Sequence, residues 1–86
     1  MTIIDRINLH MPLIQAEQAN CIMLGNVECS AMIAACELIY NLVLPRDEIH
    51  TKSVFFRGLQ IIPVHQPSFF AVARIIQQET DDAIRI

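Results

Sequence analysis

Glycine is scarce in this chain. Gly25 and Gly58 are the only two among 86 residues, so neither a G-x-G-x-x-G dinucleotide loop nor a Walker phosphate loop can be built. Tryptophan is absent. The three cysteines, Cys21, Cys29 and Cys36, form no C-x-x-C pair, the close spacing that structural zinc sites use. On one helix Cys29 and Cys36 would lie about 10 Å apart along the axis, too far for one ion holding thiolates at about 2.3 Å. They read as buried, unreactive side chains, and neither a metal nor a cofactor is expected. The odd cysteine count, with no basic-then-apolar leader after Met1, predicts a reducing, cytoplasmic setting with free thiols.

A clean membrane span is also missing. Val27–Leu44 is strongly apolar and 18 residues long, near the lower limit for a spanning helix. It carries Glu37 near its centre, however, with Glu28 at its start and Asn41 inside. A mid-span acid costs roughly 2.5–3.5 kcal/mol on insertion scales, and no Lys/Arg cluster precedes the stretch. A buried helix is the expected reading, with no membrane.

What is abundant is apolar surface. Hydrophobic residues make up 53% of the chain and the mean hydropathy is +0.42. A domain of this size has a thin core, and oligomerisation is one of the usual remedies. The composition therefore points to burial against a partner, either a second copy in a homo-oligomer or another protein.

Residues 3–11 fit either a strand or a helix. The spacing of Ile3, Ile4, Ile7 and Met11, with Thr2 and Asp5 as a capping box, favours a short helix. Pro12 suits the first turn of a new helix, running to Gly25 as a left-handed stop. Asn26 then caps a second helix that reaches about Leu44, before Pro45. The two would form a helical hairpin. The second helix has one narrow polar stripe of Ser30, Glu37 and Asn41 and is apolar elsewhere, so it is expected at the centre, contacted on at least two sides. The small pairs Ala31/Ala35 and Ser30/Ala34 would admit a close helix, either the first one or a symmetry mate. After the polar loop of Pro45, Arg46, Asp47 and Glu48, two β-rich runs flank Arg57-Gly58 and read as a hairpin. The second run is expected to lie at an edge or to end at Pro63. Ser68 can cap a C-terminal helix through Phe69, Val72, Ala73 and Ile76, with a third strand through Phe69–Ile75 as the alternative. The tail 83–86 is either loose or paired to the hairpin. The fold class is α+β: a two-helix hairpin, an antiparallel β-hairpin and a C-terminal helix packed as one small domain over residues 1–86.

Acids are absent from residues 49–78, which hold Lys52, Arg57 and Arg74, His50 and His65, and all four phenylalanines. Cationic residues beside aromatics can grip nucleic acid, but three are few, and a pI near 5.4 is far below the roughly 9 typical of such domains. Nucleic acid is disfavoured. The block is better matched to the acidic remainder of a second copy or to an acidic protein. The candidate interaction residues are Lys52, Phe56, Arg57 and Arg74 in this block, with Met32 and Ile39 on the second helix.

Three functions follow as expectations. The first is a small non-enzymatic protein-binding module, oligomeric, acting as an accessory or inhibitor protein of the kind phages and mobile elements encode. The second is a small-molecule or nucleotide binder using Arg57, Lys52 and Phe56 at an intersubunit pocket. The third is a thiol-dependent enzyme using Cys29, placed in the first turn of its helix, where the dipole would lower a thiol pKa and neighbouring Glu28 would raise it. No catalytic pairing of nucleophile and base is legible, although His10, His50 or His65 could approach in space.

Overall fold

The computed structural model describes residues 1–43, 52–80 and 82–86. The order is α1 (Ile3–Glu17), β1 (Cys21–Leu24), α2 (Asn26–Tyr40), β2 (Val54–Phe56), β3 (Leu59–Pro63), β4 (Phe70–Ala73) and β5 (Ile84–Arg85). The strands form one mixed sheet in the order β4-β1-β3-β2-β5. β1 runs parallel to β3 and β2 parallel to β5, while β1/β4 and β2/β3 are antiparallel. The fold is α+β, with a larger sheet than the sequence suggested.

Helix α1 begins as expected. The Thr2 hydroxyl accepts from the Asp5 amide at 3.2 Å, and the Asp5 carboxylate accepts from the Thr2 amide at 3.0 Å. Pro12, expected to start a new helix, instead lies inside α1. Its ring is on the exposed side, so the carbonyl that loses its donor stays near water rather than in the core.

The helical hairpin is not formed. α1 stops at Glu17, with Gln18 in a left-handed cap. Cys21–Leu24 is a strand, hydrogen-bonded to β3 on one side and β4 on the other. A four-residue apolar run does not reveal its period, and the two neighbouring strands supply partners that a continuing helix would forgo. Gly25 does not act as a left-handed stop either: its φ is −76°, and it, rather than Asn26, is the N-cap of α2. The helix ends at Tyr40, with Asn41 left-handed, short of the expected Leu44. The expected Pro45–Glu48 loop and the start of the first hairpin strand, including His50, lie outside the described residues.

The turn at Arg57-Gly58 is as expected, with φ of 52° and 82°, the two positive values a type I′ hairpin requires. A Cβ added to Gly58 would meet nothing within 4 Å, so only its backbone conformation demands glycine. Gly58→Ala is therefore expected to cost about 1 kcal/mol, read as a lower urea midpoint at unchanged slope. β3 ends at Pro63, although it is central and not an edge.

The expected C-terminal helix is replaced by β4. Phe70 and Val72 pack toward the core while Ala71 and Ala73 alternate to the other face. The pairing with β1 decides between two readings that the sequence left open. The tail pairs with β2, as β5.

Both helices pack on one face of the sheet. Ile3, Ile4, Ile7 and Ile14 of α1 and Cys29, Met32, Ala35 and Cys36 of α2 share a core with Ile22, Leu24, Val54, Phe56, Leu59 and Ile61. The alternate residues Cys21, Phe55 and Gln60 are also buried. Because β4 and β5 occupy opposite edges, the chain between them must cross the sheet. Its residues 75–80 are held there by side-chain amides. Gln60 Nε2 donates to the Gln78 carbonyl at 3.0 Å, and its Oε1 accepts from the Gln78 amide at 3.2 Å. Asn20 bonds both backbone groups of Ile75, and Ser53 bonds Gln78 and Thr80. Arg85 stacks on Phe55 at 4.6 Å.

Candidate functional site

The six candidate residues do not converge. Met32 and Phe56 are fully buried in the core. Lys52 lies 3.4 Å from Asp82. Arg57 donates to Asn8 Oδ1 at 2.5 Å and covers the Phe56 ring at 5.0 Å. Arg74 donates to Gln18 Oε1 at 2.9 Å. Ile39 is half exposed near the end of α2. Arg57 thus reaches α1 and Arg74 the C-cap residue that follows it. Arg57 borders a cleft of 310 Å³ whose other lining residues include Met11, Ile14, Gln18, Asn20 and Leu59.

The polar cluster that the sequence did not reveal is at the start of α2. Glu28 is only 5% exposed. Its carboxylate accepts from Ser68 Oγ at 2.6 Å and from the Phe69 amide at 2.8 Å, with Arg6 3.9 Å away. The Ser68 hydroxyl, followed by desolvation acting the other way and the Phe69 amide, holds this carboxyl below the usual range. Kept ionised, it serves as an acceptor rather than as a proton donor. The adjoining amides of Gly25, Asn26 and Val27 donate to the carbonyls of Phe69, Gln66 and Pro67 at 2.8–3.0 Å. The segment before β4 thereby caps α2 and replaces the side-chain cap that Gly25 cannot provide. An acid in the first helical turn was a legible signal; its partners, forty residues away, were not.

All three thiols are free and buried. Burial pushes the Cys29 thiol up, and the Glu28 charge adds to the effect. Its Sγ–H faces the Leu24 carbonyl at 3.5 Å. These conditions oppose thiolate formation. Among the described residues, no group of three or more His, Cys, Asp or Glu is placed to hold a metal ion, and no helix is long and apolar enough to cross a membrane.

Comparison with known protein families, curated proteins and solved structures finds no significant match to this chain. The surface itself therefore carries the functional reading. The exposed residues of α2 include Val27, Ala31, Ala34 and Leu38, spaced 4, 3 and 4 apart and so aligned on one helix face. Leu38 is 85% exposed and Val27 62%. Beside the N-terminal end of this stripe is a cavity of 190 Å³ between α1 and α2, lined by Met1, Thr2, Ile3, Arg6, Val27, Glu28 and Ala31. The helix was expected to be contacted on at least two sides; within the described chain it packs against α1 and against β1 of the sheet, and the stripe is on the side turned from both.

Proposed function

We propose that this chain is a small non-enzymatic protein-binding module that docks through the outward face of α2, acting as an accessory or inhibitor protein. The observation that carries this reading is the stripe of Val27, Ala31, Ala34 and Leu38, a continuous apolar face on a regular helix. Contiguous exposed apolar surface marks interaction sites, whereas single exposed apolar residues are ordinary. The burial of the three thiols and the full engagement of Glu28 support a non-catalytic role.

The reading is tested by capture with immobilised protein, comparing wild type with Leu38→Glu and with Ile76→Glu. Ile76 is 92% exposed and lies outside α2, so it controls for a surface charge of the same kind. The expected result is that wild type and Ile76→Glu retain the same partner, while Leu38→Glu loses about tenfold or more in affinity. Equal retention by all three proteins would refute α2 as the docking face.

The cleft beside Arg57 supports a second reading, binding of a small anionic molecule. Its 310 Å³ is at the lower end of the range for ligand pockets, and Arg57 is, among the described residues, the one charged side chain that lines it.

A further inference from the structure

We infer that residues 75–80 form a latch over the second face of the sheet, and that it opens as a unit while the core between helices and sheet stays folded. Opening uncovers the Cys21 thiol and the Phe55 ring. The latch lies on the side of the sheet opposite α1 and α2, so it goes beyond the docking reading and does not rest on it.

Alternation along the strands defines what the latch covers. Ile22, Leu24, Val54, Phe56, Leu59 and Ile61 share the core with the two helices. Cys21, Met23, Phe55, Gln60 and Ile62 therefore point to the other face. Both helices pack on the first face, yet Cys21, Phe55 and Gln60 are only 0%, 3% and 7% exposed. Met23 and Ile62, paired with each other further along the second face, are only partly buried. The difference follows the path of the chain. It leaves β4 beside Asn20, passes Gly58 and Gln60 and reaches Ser53, as its hydrogen bonds record. Cys21 and Phe55 flank Gln60 on the two neighbouring strands, so a segment clamped to Gln60 lies over all three.

The cover contributes little core of its own. Every residue from Arg74 to Thr80 is exposed. Among the described residues, each hydrogen bond between 75–80 and the sheet has a side chain on at least one side. Ile75 shares two with the Asn20 carboxamide. Gln77 Nε2 donates to the Asn20 and Gly58 carbonyls at 2.7 and 3.0 Å. Gln60 holds both backbone groups of Gln78, and Ser53 Oγ bonds Gln78 and Thr80. Water replaces each of these bonds when the segment lifts, so their net worth is small. Lifting a helix would instead wet the core isoleucines and Phe56. Segments with few buried apolar contacts and exposed hydrogen bonds are the ones that open locally. Both ends are fixed, because β4 pairs with β1 and β5 pairs with β2, with Ile84 and Ile86 packed against the core. The released segment bows outward and reseats in the same register.

The cysteines report the opening, since Cys29 and Cys36 lie in the helix–sheet core and Cys21 under the latch. Wild type, Gln60→Ala and Ser53→Ala are labelled with iodoacetamide, without denaturant and in low urea, and each cysteine is followed by peptide mass spectrometry. Each rate is divided by that of the same thiol in the unfolded chain. In wild type, Cys21 is expected to react at least about tenfold faster than Cys29 or Cys36, at a rate nearly flat in urea because a local opening exposes little surface. Gln60→Ala and Ser53→Ala, at the middle and far end of the latch, are each expected to raise the Cys21 rate about tenfold. The other two rates should rise by no more than the loss of global stability in the same variant, measured by urea denaturation. A Cys21 rate no faster than the other two, or one with their urea dependence, would show that the segment leaves only on global unfolding and would overturn the inference. Three rates that rise together in Gln60→Ala would do the same. A fast Cys21 rate unmoved by both substitutions would place the opening elsewhere in the sheet and overturn the latch.

Discussion

Gly25→Ala is expected to lower the stability of the protein by about 3 kcal/mol, a large share of the roughly 5–15 kcal/mol available to a folded domain. A Cβ at this position would lie 2.6 Å from the Phe69 nitrogen, 2.8 Å from the Ser68 carbonyl carbon and 2.9 Å from the Gln66 oxygen. All three are backbone atoms, so no side chain can rotate away. To admit the methyl, the 66–69 segment must withdraw, and the hydrogen bonds from the amides of Gly25, Asn26 and Val27 stretch with it. The glycine is required for space and not for conformation, since its φ of −76° is open to any residue. Urea denaturation followed by circular dichroism measures the loss. A cost no greater than that of Gly58→Ala, whose added Cβ meets nothing, would show that the segment yields easily and is not the cap described above.

Glu28→Ala is expected to cost about 2–3 kcal/mol and to change the pH profile of stability. The substitution removes the charged acceptor to which the Ser68 hydroxyl and the Phe69 amide donate, and hydrogen bonds to a charged group are the stronger kind. Glu28→Gln keeps one acceptor oxygen and should cost less. Arg6 adds little, because it is half exposed and 3.9 Å away. The folded carboxyl is held below its ordinary range, chiefly by the Ser68 hydroxyl. Its contribution is therefore fully present above the unfolded carboxyl value of about 4.3 and disappears as the pH falls through the lower folded value. Wild-type stability should decline over that acid window more steeply than that of Glu28→Ala. Asp5 and Asp82, lowered chiefly by hydrogen bonds from Thr2 and Thr80, slope the same way in both proteins, so the difference between the curves isolates Glu28. Parallel curves would mean that its hydrogen bonds do not stabilise the fold.

Local signals are legible in the sequence where the interaction they encode is itself local. Thr2 and Asp5 are three residues apart, and each satisfies the other's amide. Arg57 and Gly58 are adjacent, and their two positive φ values make the turn. The elements that differ from expectation share a different cause. Cys21–Leu24 and Phe70–Ala73 are short apolar runs whose helical and extended forms are equally plausible in isolation. As neighbouring strands they satisfy each other's backbone across nearly fifty residues of sequence. Pro12 looked like a helix start because the exposed side on which it sits is defined only once the helix is docked.

The candidate site was legible to a similar degree. The excess of apolar residues on the second helix was visible in the sequence, and so were its small residues. Which of them face outward was not. Met32 belongs to the core while Leu38 projects from it, and that division depends on where the sheet lies. The cationic block was likewise a property of the sequence and not of the surface, because Lys52, Arg57 and Arg74 are directed to different neighbours.

The sequence by itself determined that no glycine-rich phosphate loop could exist, that Thr2 and Asp5 are spaced for a capping box and that the chain turns at Arg57-Gly58. It also determined that an apolar helix follows Gly25. These are matters of composition, or of contacts within a few residues, and need no partner from elsewhere. Only the tertiary structure decided that β1 and β4 are strands, that Gly25 is needed for room, that Glu28 is a buried acceptor and that Val27 and Leu38 face outward. Each of these depends on atoms distant in the chain, and the free energy of a hydrogen bond or a buried methyl exists only when those atoms are brought together.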